Sequence, residues 1–224
     1  YTSRVAEQAD IAVIGAGALT GTIALGWAFG LPYGRLKIAE MLDNASSPGS
    51  APKEPAAWFE ILPDSRVRLY VTKAEMGQGV HTALAQFAAE ELELSLADLE
   101  IVQATTNHVH TDSMGTNGSS SVSGMSEPLR QAAATLRELL KAQAAVQLNQ
   151  PVANLVISGR GVEARGDAAR RVELGKLAAT QKEWMAKLPE APVALKPPSA
   201  FKVIGQPVPR VDIPAKVNGS AVYG

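Results

Sequence analysis

Residues 75–102 read EMGQGVHTALAQFAAEELELSLADLEIV, a glycine-rich turn followed by two segments with different apolar patterns. Apolar residues within 80–94 recur at close to helical spacing, which predicts a helix there. Residues 99–105 alternate between apolar and polar side chains, which is typical of a half-buried strand. Because the β-rich segment 66–72 precedes the turn, the stretch predicts a strand, a loop, a helix and a second strand in succession.

The same alternation continues on both sides of this stretch. Residues 58–62 and 154–158 have strand patterns, and each is followed by a turn and a second β-rich segment. Residues 124–148 and 174–188 predict helices, and the polar, Gly/Ser-rich residues 106–123 predict a loop. The sequence therefore predicts an α+β fold in which helices pack on a mixed sheet.

A segment without any charge comes before this globular part. Ile11 to Gly34 holds 24 uncharged residues, and a membrane-spanning helix needs about 20 apolar ones. We therefore predict a membrane-anchor helix within residues 1–42, followed by a Ser/Pro-rich linker at 43–56.

Three other interpretations of the uncharged segment stay open. The turn Gly15–Gly21 resembles a dinucleotide fingerprint, but the helix after it would contain Gly26, Gly30 and Pro32 and would have no charged outer face. A cleaved signal peptide is the second alternative, although Arg4 is not followed by a second arginine. The third is a segment that packs within protein, beneath a partner subunit.

The composition limits the classes of function. Lys plus Arg total 21 against 22 Asp plus Glu, which gives no electrostatic reason to expect a nucleic-acid partner. The chain contains no cysteine, so it uses no thiol nucleophile and ligates no iron–sulfur cluster through thiolates. Of the three histidines, His81 lies far in sequence from His108 and His110, and we predict no metal ligand on this chain.

Two loops carry the chemical signal. Residues 75–82 and 115–124 each run into a predicted helix, whose N-terminus offers backbone N–H groups and a positive dipole end. The Gln78 amide could read the edge of a heterocycle, and the serine hydroxyls of the second loop would suit a phosphate. The alternative is purely structural: the glycines shape a turn, and Ser121 or Ser123 caps a helix.

Together the two loops resemble the molybdenum hydroxylases, the xanthine dehydrogenase/aldehyde oxidase family. The match extends over about 75 residues, with both motifs in the same order and spacing. The resemblance implies the fold of a molybdopterin-binding domain and a molybdenum–molybdopterin cofactor, which we expect in its cytosine dinucleotide form. It also implies cofactor contacts from eight residues: Met76, Gly77, Gln78, Gly79, Ser120, Ser121, Val122 and Ser123.

The C-terminal residues indicate which branch of this family the chain resembles. Residues 201–224 are similar to the segment that leads into the α/β-hammerhead domain of the same family. Here that segment follows the pterin motifs, an order that resembles the branch of isoquinoline 1-oxidoreductase and membrane-bound aldehyde dehydrogenases. We therefore assign 57–200 to part of the molybdopterin-binding domain and 201–224 to the start of the hammerhead segment.

The resemblance also implies an activity. Family members oxidise aldehydes or hydroxylate N-heterocycles with water as the oxygen source and pass electrons to an iron–sulfur subunit. The catalytic glutamate of the family has no counterpart here, and Glu75 belongs to the cofactor motif, so we expect no catalytic residue on this chain. His81 matches the histidine of the motif, and we favour a role at the start of the helix, where it would orient the loop.

The expected partners are the remainder of the molybdenum subunit and a small [2Fe-2S] subunit, with a membrane cytochrome c as a further candidate. The expected location is the periplasmic face of a bacterial inner membrane. The alternative function is a non-catalytic membrane tether or assembly module that has kept the fold and lost the cofactor.

Overall fold

The computed structural model describes residues 58–104, 116, 118–179 and 192–221. The predicted anchor helix within 1–42 and the linker at 43–56 lie outside the described residues, as do His108 and His110. Among the helices that are described, none is both long and apolar enough to cross a membrane.

The first sheet contains the strand–loop–helix–strand unit that the sequence predicts. Its strands β1 (Phe59–Ile61), β2 (Val67–Val71) and β3 (Leu99–Gln103) lie in that order, and helix α1 (Val80–Leu92) connects β2 to β3. β1 pairs antiparallel with β2, whereas β2 pairs parallel with β3, so this sheet is mixed as predicted. A parallel pair requires a crossover connection, and α1 provides it.

The apolar stripe on α1 explains where the helix packs. Val80, Leu84, Ala88 and Leu92 recur every four residues and are all at most 1% exposed. Helix α1 packs against β2, β3 and the next helix in the chain. Burial of several large apolar side chains, at about 1.5–3 kcal/mol each, is the main source of stability for such a helix.

The second half of the chain forms a separate antiparallel sheet. Helix α2 (Ser121–Leu148) is followed by β4 (Leu155–Ser158), β5 (Gly161–Ala164), β6 (Asp167–Glu173) and helix α3 (Leu174–Ala179). The three strands pair in chain order, and α2 packs on them and on α1. The described residues therefore form two three-stranded sheets, where the sequence predicted one.

Two further predictions need correction in this half. Helix α2 begins at Ser121, three residues before the predicted start, so the predicted loop 106–123 includes the first turn of the helix. Strand β6 was not predicted, because the first four of its seven residues are exposed and give no apolar alternation. Of the helix predicted over 174–188, the described part extends to Ala179.

The C-terminal segment lies along α1. We call residues 196–212 the C-terminal strap. Three α1 side chains spaced four residues apart bind it: Thr82 accepts the Val211 N–H at 3.1 Å, and Gln86 donates to the Val203 and Gln206 carbonyls. Glu90 accepts the backbone N–H groups of three consecutive residues, Lys202, Val203 and Ile204, at 2.8, 2.7 and 3.1 Å.

A short helix, α4 (Ile213–Asn218), follows the strap, where the sequence predicted none. Asp212 precedes the helix, Pro214 lies in its first turn, and Gly219 ends it with a positive φ of 78°. These are recognised helix start and stop signals, but a six-residue helix is too short to show an apolar period.

The Glu90 contacts predict a pH-dependent stability. Burial raises the pKa of Glu90, but the N–H donors of Val203, Ile204 and Lys202 together with the Lys196 ammonium lower it further, so the net shift is downward. A lowered folded-state pKa contributes stability above the unfolded-state value of about 4.3, and that stability is lost as the pH falls through the folded pKa.

We therefore expect Glu90→Gln to lower the free energy of unfolding at pH 7 by about 2 kcal/mol, because a buried carboxylate accepts three backbone hydrogen bonds. The measurement is chemical denaturation of wild type and variant from pH 7 to pH 3. The difference between them shrinks below about pH 4.3. A difference that is constant across this range would contradict the role of the Glu90 charge.

Candidate cofactor-binding site

The cofactor motif lies at one edge of the first sheet, and a hydrogen bond places the start of the serine motif beside it. Because β2 and β3 are parallel, their carboxyl ends lie side by side at Val71 and Gln103. The cofactor loop, residues 74–79, follows β2, and the serine turn, residues 118–123, is reached from β3. Ligands of open α/β sheets bind at this carboxyl edge.

Two contacts show that the helices behind these loops begin at the same end of the molecule. The Ala74 N–H, at the start of the cofactor loop, donates to Thr116 Oγ1 at 2.8 Å, two residues before the serine turn. Glu91, near the end of α1, contacts Arg130 and Arg137, which lie within α2. The two helices therefore run in the same direction, and their positive dipole ends point to the same region.

Glu75 organises the cofactor loop from within. Its carboxylate accepts the N–H groups of Gly77 and Gly79 at 2.9 Å each and that of His81 at 3.2 Å. Burial raises the pKa of Glu75, but these three donors lower it below its usual value. Of the N–H groups at the start of α1, which the sequence predicted to be available to a ligand, those of Gly79 and His81 are thus bound by Glu75.

The predicted contact residues of this loop surround a tight turn. Gly77 and Gly79 have φ values of 103° and 82°, a backbone conformation that L side chains rarely adopt. The Gln78 Oε1 accepts the Met76 N–H at 2.6 Å, and its Nε2 donates to the Ala74 carbonyl at 2.8 Å. Gln78 is exposed, and its amide keeps one hydrogen and one lone pair for a ligand.

The Met76 side chain is 69% exposed at the tip of the loop. Its position beside the exposed Gln78 amide gives the loop one apolar and one polar group that face solvent together.

The serine turn presents the start of a 28-residue helix. The first helical bond runs from the Gly124 N–H to the Ser120 carbonyl at 2.7 Å, so the N–H groups of Ser121, Val122 and Ser123 have no acceptor within the helix. Ser120 occupies the N-cap position, and Ser121 and Ser123 lie in the first turn, so the interpretation of either as the N-cap is wrong. Such a terminus suits an anion.

His81 holds the two strand ends together. Its Nε2 lies 3.1 Å from the Lys73 carbonyl and 3.1 Å from Gln103 Oε1. The Gln103 Nε2 donates to the Val71 and Ala104 carbonyls, which leaves its oxygen to accept from the imidazole. With two acceptors as partners, Nε2 carries the proton. This geometry supports the structural role favoured for His81.

Arg210, on the strap, reaches the cofactor loop and was not identified from the sequence. Its Nη1 donates to the Gly77 carbonyl at 2.6 Å, and its Nη2 lies 3.3 Å from Glu75 Oε1. Asp212 binds the other side of the guanidinium at 3.0 and 2.6 Å. Hydrogen bonds from Arg210 and Lys216 lower the pKa of Asp212 well below its usual value. No local sequence signal reveals the contact between Arg210 and Gly77, because the two residues are separated by 133 positions in the chain.

The residues present fit a molybdopterin with its phosphate groups. The N–H groups at the start of α2 suit a phosphate, the Gln78 amide suits a heterocycle edge, and Arg210 offsets the Glu75 charge. Within the described part of the chain, no group of three or more acidic or histidine side chains could hold a metal ion. The start of α2, the Gln78 amide and Arg210 offer contacts that suit the organic part of a cofactor.

Comparison with known proteins supports this assignment. The family described as "Molybdopterin cofactor-binding domain" matches residues 23–207. The membrane-bound aldehyde dehydrogenase [pyrroloquinoline-quinone] of Gluconacetobacter polyoxogenes is 34% identical over 81% of this chain and 23% of its own length. The beta subunit of the isoquinoline 1-oxidoreductase of Brevundimonas diminuta is 30% identical over 91% of this chain and 30% of its own length.

A third relative, a nicotinate dehydrogenase subunit of Pseudomonas putida, is 30% identical over 85% of this chain and 16% of its own length. The chain thus spans less than a third of the length of each of these relatives. Because the family match covers most of the sequence and includes both loops of the site, the chain belongs to the molybdopterin cofactor-binding domain family.

Proposed function

We propose that this chain is the molybdopterin-binding part of an oxidoreductase that oxidises aldehydes or hydroxylates N-heterocycles. The observation that carries the proposal is the meeting of the cofactor loop and the serine turn at one edge of the sheet, which Thr116 and Ala74 connect at 2.8 Å. The names of the three relatives, an aldehyde dehydrogenase, an isoquinoline oxidoreductase and a nicotinate dehydrogenase, support these two substrate classes.

In this proposal the chain binds and orients the cofactor. Met76, Gly77, Gln78 and Gly79 contact the pterin, with the exposed Gln78 amide hydrogen-bonded to its edge. Ser120, Ser121, Val122 and Ser123 hold a phosphate at the start of α2. When bound, the molybdenum–molybdopterin cofactor would supply the redox centre for oxidation with water as the oxygen source, whereas this chain supplies position and electrostatics.

The partners follow from the same proposal. The catalytic glutamate lies on the remainder of the molybdenum subunit, and the cofactor takes its cytosine dinucleotide form. Electrons pass to a [2Fe-2S] subunit, since this chain has no cysteine to hold a cluster, and from there to a membrane cytochrome c.

We also propose attachment to a membrane, with the site on the periplasmic face. The uncharged run from Ile11 to Gly34 supports attachment, as does the word "membrane-bound" in the name of one relative. Carbonate extraction of native membranes tests it: a spanning segment keeps the chain in the pellet, and release into the supernatant would contradict a spanning segment.

The cofactor assignment is tested by Gln78→Ala in the native complex. We expect the variant to fold normally, because Gln78 is exposed, and to retain several-fold less molybdopterin than wild type. Loss of the one hydrogen bond to the pterin, at about 1 kcal/mol, gives about a fivefold reduction. The measurement is molybdenum by mass spectrometry and pterin by fluorescence after oxidation.

Gln147→Ala is the matched control, because Gln147 is an exposed glutamine at the far end of α2. Equal pterin content in the Gln78→Ala variant and wild type would show that the pterin lies elsewhere. A wild-type complex without molybdenum would favour the tether or assembly module. Because one relative is named for pyrroloquinoline quinone, the same extracts are analysed for this quinone, and its presence without molybdenum would contradict the proposal.

A further inference from the structure

We propose that Arg210 is a positioning residue for the cofactor, which it serves by holding the cofactor loop in its binding conformation from the distant C-terminal strap. The inference rests on the proposed function, since it assigns a role toward the same cofactor. Arg210 itself need not touch the cofactor, because its contacts are with Gly77 and Glu75.

The first argument concerns the turn. Gly77 has a φ of 103°, and its carbonyl oxygen accepts the Arg210 Nη1 hydrogen bond at 2.6 Å. Its N–H group is bound by Glu75 at 2.9 Å. Both polar backbone groups of Gly77 are therefore hydrogen-bonded, the N–H group by Glu75 in the loop and the carbonyl by Arg210 in the strap. Because Gln78 follows Gly77 directly, we infer that the orientation of the Gln78 side-chain amide depends on both contacts.

The second argument concerns charge. Glu75 places a carboxylate next to a site that would receive an anionic cofactor, and like charges at short range oppose binding. Arg210 lies 3.3 Å from that carboxylate and offsets its charge. Without Arg210, Glu75 could still order the loop, but its uncompensated charge would act against the phosphates of the cofactor.

The third argument is that Arg210 is itself fixed. Asp212 binds the guanidinium through both carboxylate oxygens, at 3.0 and 2.6 Å, and Lys216 binds Asp212 in turn. Thr82, Gln86 and Glu90 attach the strap to α1, the helix that follows the cofactor loop. The guanidinium is thus pre-organised, which reduces the entropy lost when it holds the loop.

The test compares Arg210→Gln with wild type in the native complex and in its cofactor-free form. We expect hydrogen–deuterium exchange of the peptide containing residues 75–82 to become about tenfold faster in the cofactor-free variant, as for loss of one charge-assisted hydrogen bond. The melting temperature stays within about 2 °C of wild type, because Arg210 is partly exposed and lies outside the apolar core. Molybdopterin content of the complex falls several-fold.

Two companion variants test whether the effect of Arg210→Gln is specific to the Arg210 guanidinium. Arg210→Lys keeps the positive charge without the planar fork, and we expect it to restore part of the molybdopterin content. Arg170→Gln removes an exposed arginine of β6 that pairs with Asp167 on the same strand, and we expect no change in exchange or content.

The outcomes separate this inference from the proposed function. Unchanged loop exchange in Arg210→Gln, or faster exchange with unchanged molybdopterin content, overturns the positioning role while the proposed function stands. A wild-type complex that contains no molybdopterin overturns the proposed function, whatever the exchange rates. A large fall in melting temperature in Arg210→Gln would make the residue a general stabiliser and would also overturn the positioning role.

Discussion

Replacement of Glu91 by alanine is expected to lower the free energy of unfolding by about 3–5 kcal/mol, the largest effect on stability that we predict. The Glu91 side chain has no exposed surface, and it binds Arg130 at 2.7 Å and Arg137 at 3.3 Å. It also accepts the Lys196 N–H, which anchors the beginning of the strap. The variant would leave two arginines partly buried without their shared partner.

Urea denaturation of the full chain measures this effect. Glu91→Gln retains the shape without the charge, and we expect an intermediate loss of stability. Glu127→Ala, at an exposed position of α2, is the control, and we expect a change within about 0.5 kcal/mol. A loss in Glu91→Ala no larger than in this control would show that the buried ion pairs do not stabilise the packing of α1 on α2.

Replacement of Glu75 by alanine is expected to have the largest effect on cofactor content. The variant leaves the N–H groups of Gly77, Gly79 and His81 without their acceptor and removes one partner of Arg210. Hydrogen bonds to a charged group are worth about 1.5–3 kcal/mol each, so the loop loses most of what holds its conformation. We expect molybdopterin content to fall more than tenfold in the native complex.

Glu75→Gln is the informative comparison. It keeps an amide oxygen that can accept from Gly79 or His81 and removes the charge, so we expect partial retention of the cofactor. Circular dichroism and thermal melting check that the core is intact, because Glu75 lies in the loop and outside the apolar cluster. Full molybdopterin content in Glu75→Ala would mean that the loop conformation does not depend on this carboxylate.

The local elements of the site were predictable from the sequence because they depend on neighbouring residues. The turn before α1 needs glycine at two positions of positive φ, and the motif contains Gly77 and Gly79. The apolar spacing of 80–94 predicted α1, and the alternation of 99–105 predicted β3. β6 and α4 were missed because one is largely exposed and the other is too short to show a period.

The sequence alone thus determined the type of helices α1 and α2 and of strands β1 to β5, the two loops and the family resemblance, since all of these are carried by residues close together in the chain. Only the tertiary structure showed that Glu75 binds the amides of its own loop and that Arg210 reaches Gly77 from 133 residues away. Hydrogen-bond partners so distant in sequence meet only because the strap packs along α1, and no local periodicity or propensity encodes that contact.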